Sequence, residues 1–337
     1  MSSDDFVEVA LAADRNYIVG LIVTACSIAK SCSPDASVRF HILFSGFSEA
    51  DKVDVRLKLI SCKSNCEVLF YDVSKVDFSF LPLYASSRMT YARLILPRLL
   101  AKTEFVIYTD VDTLWLDDIS QLWKLRYEIP LIACPREQSE KTIDKEEEWF
   151  TSRGLRFSRD TYFCAGISFY NLSVIRESGI FDKVFEFGKK FDNFNCADQS
   201  MLYGTIGEQV KLLSDRWQTF PRNGILASNG HNVVLHYAGE APWKVTFCTH
   251  MITDTQLLWF DVCAKVFNES VWRSLRRFYS AFRIIKSRTL FVLLFKTWPI
   301  SIFGRFLLKC VGIRKFNESL RCRKRYLEGF IADGSGR

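Results

Sequence analysis

The chain has 337 residues, 48% of them hydrophobic and 25% charged, which is ordinary for a globular protein and long enough for one large domain with an appendage, or for two domains. Its formal charge of +7 is unevenly spread: between Lys265 and Arg325 sixteen Lys/Arg face two acids, a local +14 that leaves the rest of the chain at −7. The acidic start does not resemble a secretory signal and no uncharged apolar run approaches the ~20 residues of a membrane span, so neither an exported nor a membrane-spanning protein is expected.

Residues 7–13 form an apolar, strand-like run ending in the polar turn 14–17, and 18–29 carry helical apolar spacing. Strand, polar turn and helix in that order open a nucleotide-binding α/β sheet. Residues 38–44 predict a second strand, 48–60 an amphipathic helix capped by Ser48, and 67–71 a third strand. A helix over 90–96 is expected to stop at Pro97. The apolar run 105–108 then predicts a buried strand, followed by a helix at 119–125 and a strand at 129–134. Residues 136–160 are mostly charged and show no clear period, which predicts a loop or lid. The sheet is expected to resume at 162–171, helices to follow at 181–194 and from 196 onward with Asp198 in the first turn, and a late strand at 233–239 to end in a Gly turn. Alternating strands and helices over residues 6–240 argue for one mixed α/β domain, with no internal repeat and no low-complexity segment.

The stretch that organises this pattern is 105–116. Past its buried strand it places Asp110 and Asp112 two residues apart, at the edge where an open α/β sheet binds ligand. Hard oxygen ligands there suit Mg²⁺ or Mn²⁺ shared with substrate phosphates, and a solvated turn is the plainer alternative. The eleven cysteines have no zinc-site spacing, and Cys62 and Cys66 make the one close pair in the first half of the chain. Reduced thiols are the expected state, with a disulfide framework as the alternative. The tail interleaves apolar runs at 289–295 and 297–303 with Lys296, Arg305 and Lys309, and ends in the basic cluster 321–325. Its Leu and Phe content favours an anionic membrane surface over a helical cap packed on the domain, and both over nucleic acid, which is not expected as a partner.

Six short motifs occur in one order: AADRNY at 12–17, TYAR at 90–93, YTDVD at 108–112, FCAG at 163–166, ADQ at 197–199 and HYAG at 236–239. Together they resemble the retaining nucleotide-sugar glycosyltransferases of family 8, in particular the bacterial lipopolysaccharide galactosyl- and glucosyltransferases, over about residues 6–245. The resemblance implies a GT-A type, Rossmann-like mixed sheet flanked by helices over residues 1–250, with a basic, apolar helical tail over 251–337. It implies a DxD motif in which Asp110, Asp112 and His236 bind Mn²⁺ (or Mg²⁺), which in turn holds the donor diphosphate. The structural alternative for His236 is a satisfied core histidine. Donor binding is implied for Ala12, Asp14, Asn16, Tyr17, Arg93, Val111, Cys164, Ala165 and Gly239. Tyr17 is placed to stack on uracil, or alternatively to pack at the helix entry; Arg93 lies near the donor sugar and diphosphate, or alternatively is a surface charge.

Asp198 and Gln199 match the pair on the sugar face where a nucleophile acts. Because Gln is a poor nucleophile, a front-face substitution is implied, with Asp198 as the one candidate for a double displacement. The chain departs from the family pattern at three places. Cys164 stands where Asn is usual; Glu137, with a shift of register, is the acid available after the 129–134 strand; and Ala241 takes the place of a Lys, with Lys244 just beyond and able to serve the phosphate instead. The implied function is transfer of galactose or glucose from a UDP-sugar to a saccharide or glycolipid acceptor in lipopolysaccharide or similar glycan synthesis. The implied place is the cytoplasmic membrane face, peripherally bound. A sugar-nucleotide-binding protein without transfer is the alternative, motivated by Cys164 and Ala241.

Overall fold

A computed structural model describes residues 6–84, 87–221, 234–239, 241–244 and 254–267. The chain divides into two compact units, Met1–Phe220 with Gly230–Ala238, and Pro221–Asn229 with Gly239–Arg337.

The first unit opens with β1 (Phe6–Asp14), a 3-10 turn (Arg15–Tyr17), α1 (Ile18–Ser31), β2 (Ser37–Ser45), α2 (Glu49–Cys62) and β3 (Cys66–Asp72). Ser48 caps α2 in a reciprocal capping box with Asp51, as its position before the charged helix predicts. A 3-10 segment (Met89–Ile95) leads into the short α3 (Leu96–Leu99), then β4 (Phe105–Thr109), β5 (Thr113–Trp115), α4 (Ile119–Trp123) and β6 (Ile132–Pro135). There follow α5 (Glu140–Thr151), β7 (Ile167–Asn171), α6 (Leu172–Ser178), α7 (Ile180–Lys190), α8 (Asp198–Ile206), β8 (Lys211–Leu213) and β9 (Val234–His236).

Seven strands make one sheet in the order β3-β2-β1-β4-β7-β6-β8, and β5 pairs with β9 in a separate two-stranded ladder. The β3-β2-β1-β4 half is parallel, β7 runs antiparallel to both neighbours, and β6 and β8 are parallel to each other. Strand β1 is flanked by parallel partners and is buried at seven of its nine positions, which is why it reads as an apolar run with little alternation. Because β1 and β4 are parallel neighbours, the segments leaving both strands, at Asp14 and Asp110, emerge at the same edge of the sheet.

Two expectations need correction. Residues 136–160 are not a structureless loop: α5 occupies residues 140–151 of the segment, capped by Ser139, with Ile143, Glu146, Trp149 and Phe150 buried. Its helical period is hard to read because one of its four inward positions is a carboxylate. Arg159 then pairs with Glu140, Asp144 and Glu147 and ties the following turn to that helix. Pro97 does not end a helix but sits in the first turn of α3, where its missing N–H is one that has no intrahelical partner. The late strand forms where the pattern predicts it, as β9, and pairs with β5.

In the second unit the described part is a 3-10 turn (Pro242–Lys244) and α9 (Asp254–Phe267), with the rings of Trp243 and Trp259 5.4 Å apart. The tail beyond 267 lies outside the described residues. Among those described, no cysteine forms a disulfide and no helix is long and apolar enough to cross a membrane.

Candidate active site

The site is built at the carboxyl end of β4. The Asp110 amide donates to the Gly166 carbonyl at 2.7 Å, and the Thr113 hydroxyl donates to the Asp110 carbonyl at 2.9 Å, so the turn between β4 and β5 is held by a neighbouring segment and by its own Thr113 side chain. Pairing of β5 with β9 sets His236 opposite Thr113, and the Tyr237 amide donates to the Asp112 carbonyl at 2.8 Å. A residue more than 120 positions away in sequence is thereby fixed beside the two carboxylates. One ligand atom from each of Asp110, Asp112 and His236 lies within 4.8 Å of the others. His236 Nε2 is 3.4 Å from Asp112 Oδ1 and 3.8 Å from Asp110 Oδ2.

Gly166 makes this possible: a Cβ there would lie 2.1 Å from His236 Cε1. The ring therefore occupies space that only glycine leaves free. On its other side the Phe220 ring lies 5.6 Å away.

Arg93 is not a surface charge. It is 2% exposed, on the 3-10 segment, with its guanidinium 4.2 Å from the Tyr108 ring centroid. One terminal nitrogen bonds Asp110 Oδ1 at 2.5 Å and the other donates to the Ala165 carbonyl. Its Nε donates to the Thr90 carbonyl at 3.2 Å and lies 2.9 Å from Asp198 Oδ2. The hydroxyl of Thr90 donates to Asp198 Oδ1. This one cation therefore joins the carboxylate at the end of β4 to the carboxylate at the start of α8. Asp110 Oδ2 is left facing His236.

Loss of water pushes the Asp110 carboxyl up to about 6, although Arg93 pulls it down. Burial also raises Asp198, against Arg93 and the Thr90 hydrogen bond. For His236 burial opposes the charged form, and Asp112 and Cys164 together outweigh it, so the imidazole is held well above its usual range. Two carboxylate oxygens and an imidazole nitrogen are a donor set that fits a divalent ion of the Mg²⁺/Mn²⁺ kind.

The Gln199 amide is bonded at both ends. Its Oε1 accepts from the Ala165 amide at 2.9 Å, and its Nε2 donates to the Tyr162 hydroxyl at 2.8 Å and lies 3.5 Å from Glu137 Oε2. Glu137 is 5% exposed and its carboxyl is raised by burial. The acid with the shifted register therefore reaches Gln199. The α8 turn carrying Asp198 and Gln199 begins at Ala197, whose φ of +47° is unusual for a residue with a side chain.

At the neighbouring strand end, Asp14 Oδ1 accepts from the Asn16 amide at 2.9 Å and Oδ2 from the Ser87 hydroxyl at 2.8 Å. Asn16 is exposed, Tyr17 half-buried, and Ala12 and Val111 are buried. Cys164 is buried with its thiol 3.7 Å from His236 Nδ1. Gly239 has a φ of +72°, the backbone that the Gly turn required; the Lys244 side chain is outside the described residues. Sequence reasoning missed Gln218, Tyr162 and Ser87, each of which reaches a site residue through a side-chain contact. No spacing rule announces such partners, because strand pairing and loop packing alone bring them in.

With this geometry in hand, the chain was compared with known proteins. The model of "Glycosyl transferase family 8" matches residues 8–246. A protein of Haemophilus influenzae named as a glycosyltransferase is 28% identical over 255 residues, covering 73% of this chain and 75% of its own. General stress protein A of Bacillus subtilis is 25% identical over 267 residues, covering 72% and 90%. Among solved structures, the galactosyltransferase LgtC in complex with donor and acceptor sugar analogues superposes with a TM-score of 0.64 at 26% identity, over 79% of this chain and 99% of LgtC. LgtC has also been solved as an active-site mutant with a glutamine replaced by glutamate.

Proposed function

The chain belongs to glycosyl transferase family 8 and is a glycosyltransferase, and from that premise we propose that it is a metal-dependent, retaining hexosyltransferase that moves galactose or glucose from a UDP-sugar to a saccharide or glycolipid acceptor. The observation that carries this reading is the convergence of Asp110, Asp112 and His236 on one point, with Arg93, Asp198 and Gln199 linked to it through side-chain contacts.

Asp110, Asp112 and His236 are the residues that would hold Mn²⁺ or Mg²⁺. Such an ion supplies Lewis-acid stabilisation of the charge that develops on the departing diphosphate. Arg93 holds Asp110 in its orientation and adds a fixed positive charge beside the diphosphate position. Asp14, Asn16 and Tyr17 are assigned to the nucleoside, by carboxylate and amide hydrogen bonds and by stacking. Cys164, Ala165 and Gly239 are assigned to the donor, and Lys244 to its phosphates.

Asp198 is poorly suited to act as a nucleophile, since one oxygen accepts from Thr90 and the other is paired with Arg93. That supports front-face substitution beside Gln199 over a double displacement. The active-site glutamine of LgtC is in keeping with this role for Gln199. Lipopolysaccharide or a similar surface glycan is the proposed product. The basic tail is proposed to keep the enzyme on the inner membrane face where such an acceptor grows, raising its effective concentration.

The test is UDP release from a panel of UDP-sugars, with Mn²⁺ or with chelator, by the wild type and by Asp110→Ala/Asp112→Ala. Metal-dependent release from one donor, lost in the double variant, is the expected result and names the sugar. Failure of UDP to bind at all sinks the reading. UDP binding without release from any donor, in the presence of a panel of glycan acceptors, favours a binding protein without transfer. That second reading rests on Cys164, whose thiol lies against His236.

A further inference from the structure

One buried amide next to the metal triplet has no role in the account above. Gln218, in the stretch between β8 and β9, has no exposed surface, and its Oε1 lies 3.2 Å from His236 Nδ1. The residue is held from two sides. The Gln138 side-chain amide donates to its carbonyl at 2.7 Å. Its neighbour Thr219 exchanges backbone hydrogen bonds with β9, donating to Val234 at 2.8 Å and accepting from His236 at 3.0 Å. Ring and amide are therefore carried on backbones bonded to each other.

The side-chain amide has two possible orientations. With Oε1 toward the ring it accepts Nδ1–H, and its own Nε2 is left buried with no hydrogen-bond partner among the described residues. An unpaired buried N–H is unfavourable, and an apolar side chain of similar size would avoid it. When Nε2 of the ring binds the metal, Nδ1 carries the proton, and the amide turned the other way would point N–H at N–H. Among the described residues, the Cys164 thiol also lies near Nδ1, at 3.7 Å, and is a much weaker acceptor. The orphaned nitrogen marks what the residue is kept for: an oxygen aimed at Nδ1.

From this we infer that Gln218 is the positioning residue of the His236 ligand. By accepting the Nδ1 proton it holds the neutral imidazole in the tautomer whose Nε2 lone pair faces Asp110 and Asp112, and it sets the ring plane toward them. A metal-binding histidine whose second nitrogen loses such a partner typically loses about 10–100-fold in metal affinity. The inference rests on the metal reading of the triplet.

The experiment titrates the full chain with Mn²⁺ by calorimetry, in the presence of UDP, in wild type, Gln218→Leu, Gln218→Glu and His236→Ala, with melting temperatures measured without metal. Gln218→Leu is expected to bind Mn²⁺ about 10-fold or more weakly while still melting cooperatively, since the orphaned Nε2–H that it removes offsets the Nδ1–H that it leaves without an acceptor. Gln218→Glu is expected to bind as tightly as the wild type or tighter, because a carboxylate accepts Nδ1–H more strongly. A packing role gives the reverse order, with Leu tolerated and the buried charge of Glu disruptive. Wild-type affinity in Gln218→Leu alongside loss in His236→Ala overturns the inference and leaves the metal site standing. Affinity lost in Gln218→Glu overturns it as well. Unchanged affinity in His236→Ala removes the metal reading itself, and the inference with it.

Discussion

At the scale of single residues, the site is an arrangement of charges partly or wholly withdrawn from water that must satisfy one another. Asp110 is the clearest case. Burial lifts its carboxyl to about 6 against the pull of Arg93, so a proton and a divalent ion compete for the same oxygen near neutral pH. Mn²⁺ affinity should fall as pH drops through about 6 and go on rising above pH 7, because His236 must also lose a proton to bind, which a calorimetric titration series from pH 5 to 8 measures. An affinity flat down to pH 5 would mean that Asp110 stays ionised and contributes no proton competition. The sign for stability is opposite to that of an ordinary salt-bridged acid. A raised carboxyl contributes stability that is fully present below its unfolded value of about 4 and is lost as pH rises through the folded value. Without metal, this group should make the protein less stable at pH 7 than at pH 4, and bound Mn²⁺ should restore the difference. His236, also raised, acts in the same direction, with its contribution lost as pH rises through its folded value.

At the scale of elements, the start of α8 is the place where local preference yields to position. Ala197 has a φ of +47°, and the two residues after it are Asp198, which faces Arg93, and Gln199, which faces Ala165. Strain of this kind costs about 1–3 kcal/mol and persists where its surroundings over-determine it. The turn is held by the Gln199 amide on the Cys196 carbonyl at 3.0 Å and by the Cys196 amide on the Ser200 hydroxyl at 3.1 Å. Glycine accepts this backbone freely, and its added freedom in the unfolded chain costs only about 0.4–1 kcal/mol. Ala197→Gly should therefore keep or raise the melting temperature. Ala197→Val, β-branched at a positive φ, should lower it clearly. If Val proves neutral in thermal melts, the turn is not strained.

At the scale of the whole molecule, the uneven charge is the main feature: an acidic body and a basic run from Lys265 to Arg325. A peripheral association through that run predicts that the full chain sediments with vesicles containing phosphatidylserine and is released by salt. Replacing Arg321, Arg323, Lys324 and Arg325 by Gln should weaken vesicle binding while leaving UDP-sugar turnover unchanged, at about 1 kcal/mol per charge removed near the surface. Equal sedimentation of the variant and the wild type would take this basic cluster out of the association.

Much of this protein is legible without coordinates because much of it is local. The apolar runs of β1, β2 and β4, the Ser48 cap of α2 and the Asp110–Asp112 spacing at a strand end each follow from the pattern of a few consecutive residues, and the six ordered motifs are enough to indicate the family. Element identity along the chain failed where a local pattern was broken for a distant reason. In α5 the inward Glu146 faces the interior rather than solvent, and Pro97 is harmless because it falls in a first turn. The site itself needed the tertiary structure. His236 reaches Asp112 through a strand pair closed over more than 120 residues, Gly166 is required by a ring from another segment, and Arg93 and Gln218 gain their partners by being buried. Such contacts depend on which strands pair and which loops meet, and that is set by the packing of the entire chain rather than by any window of it.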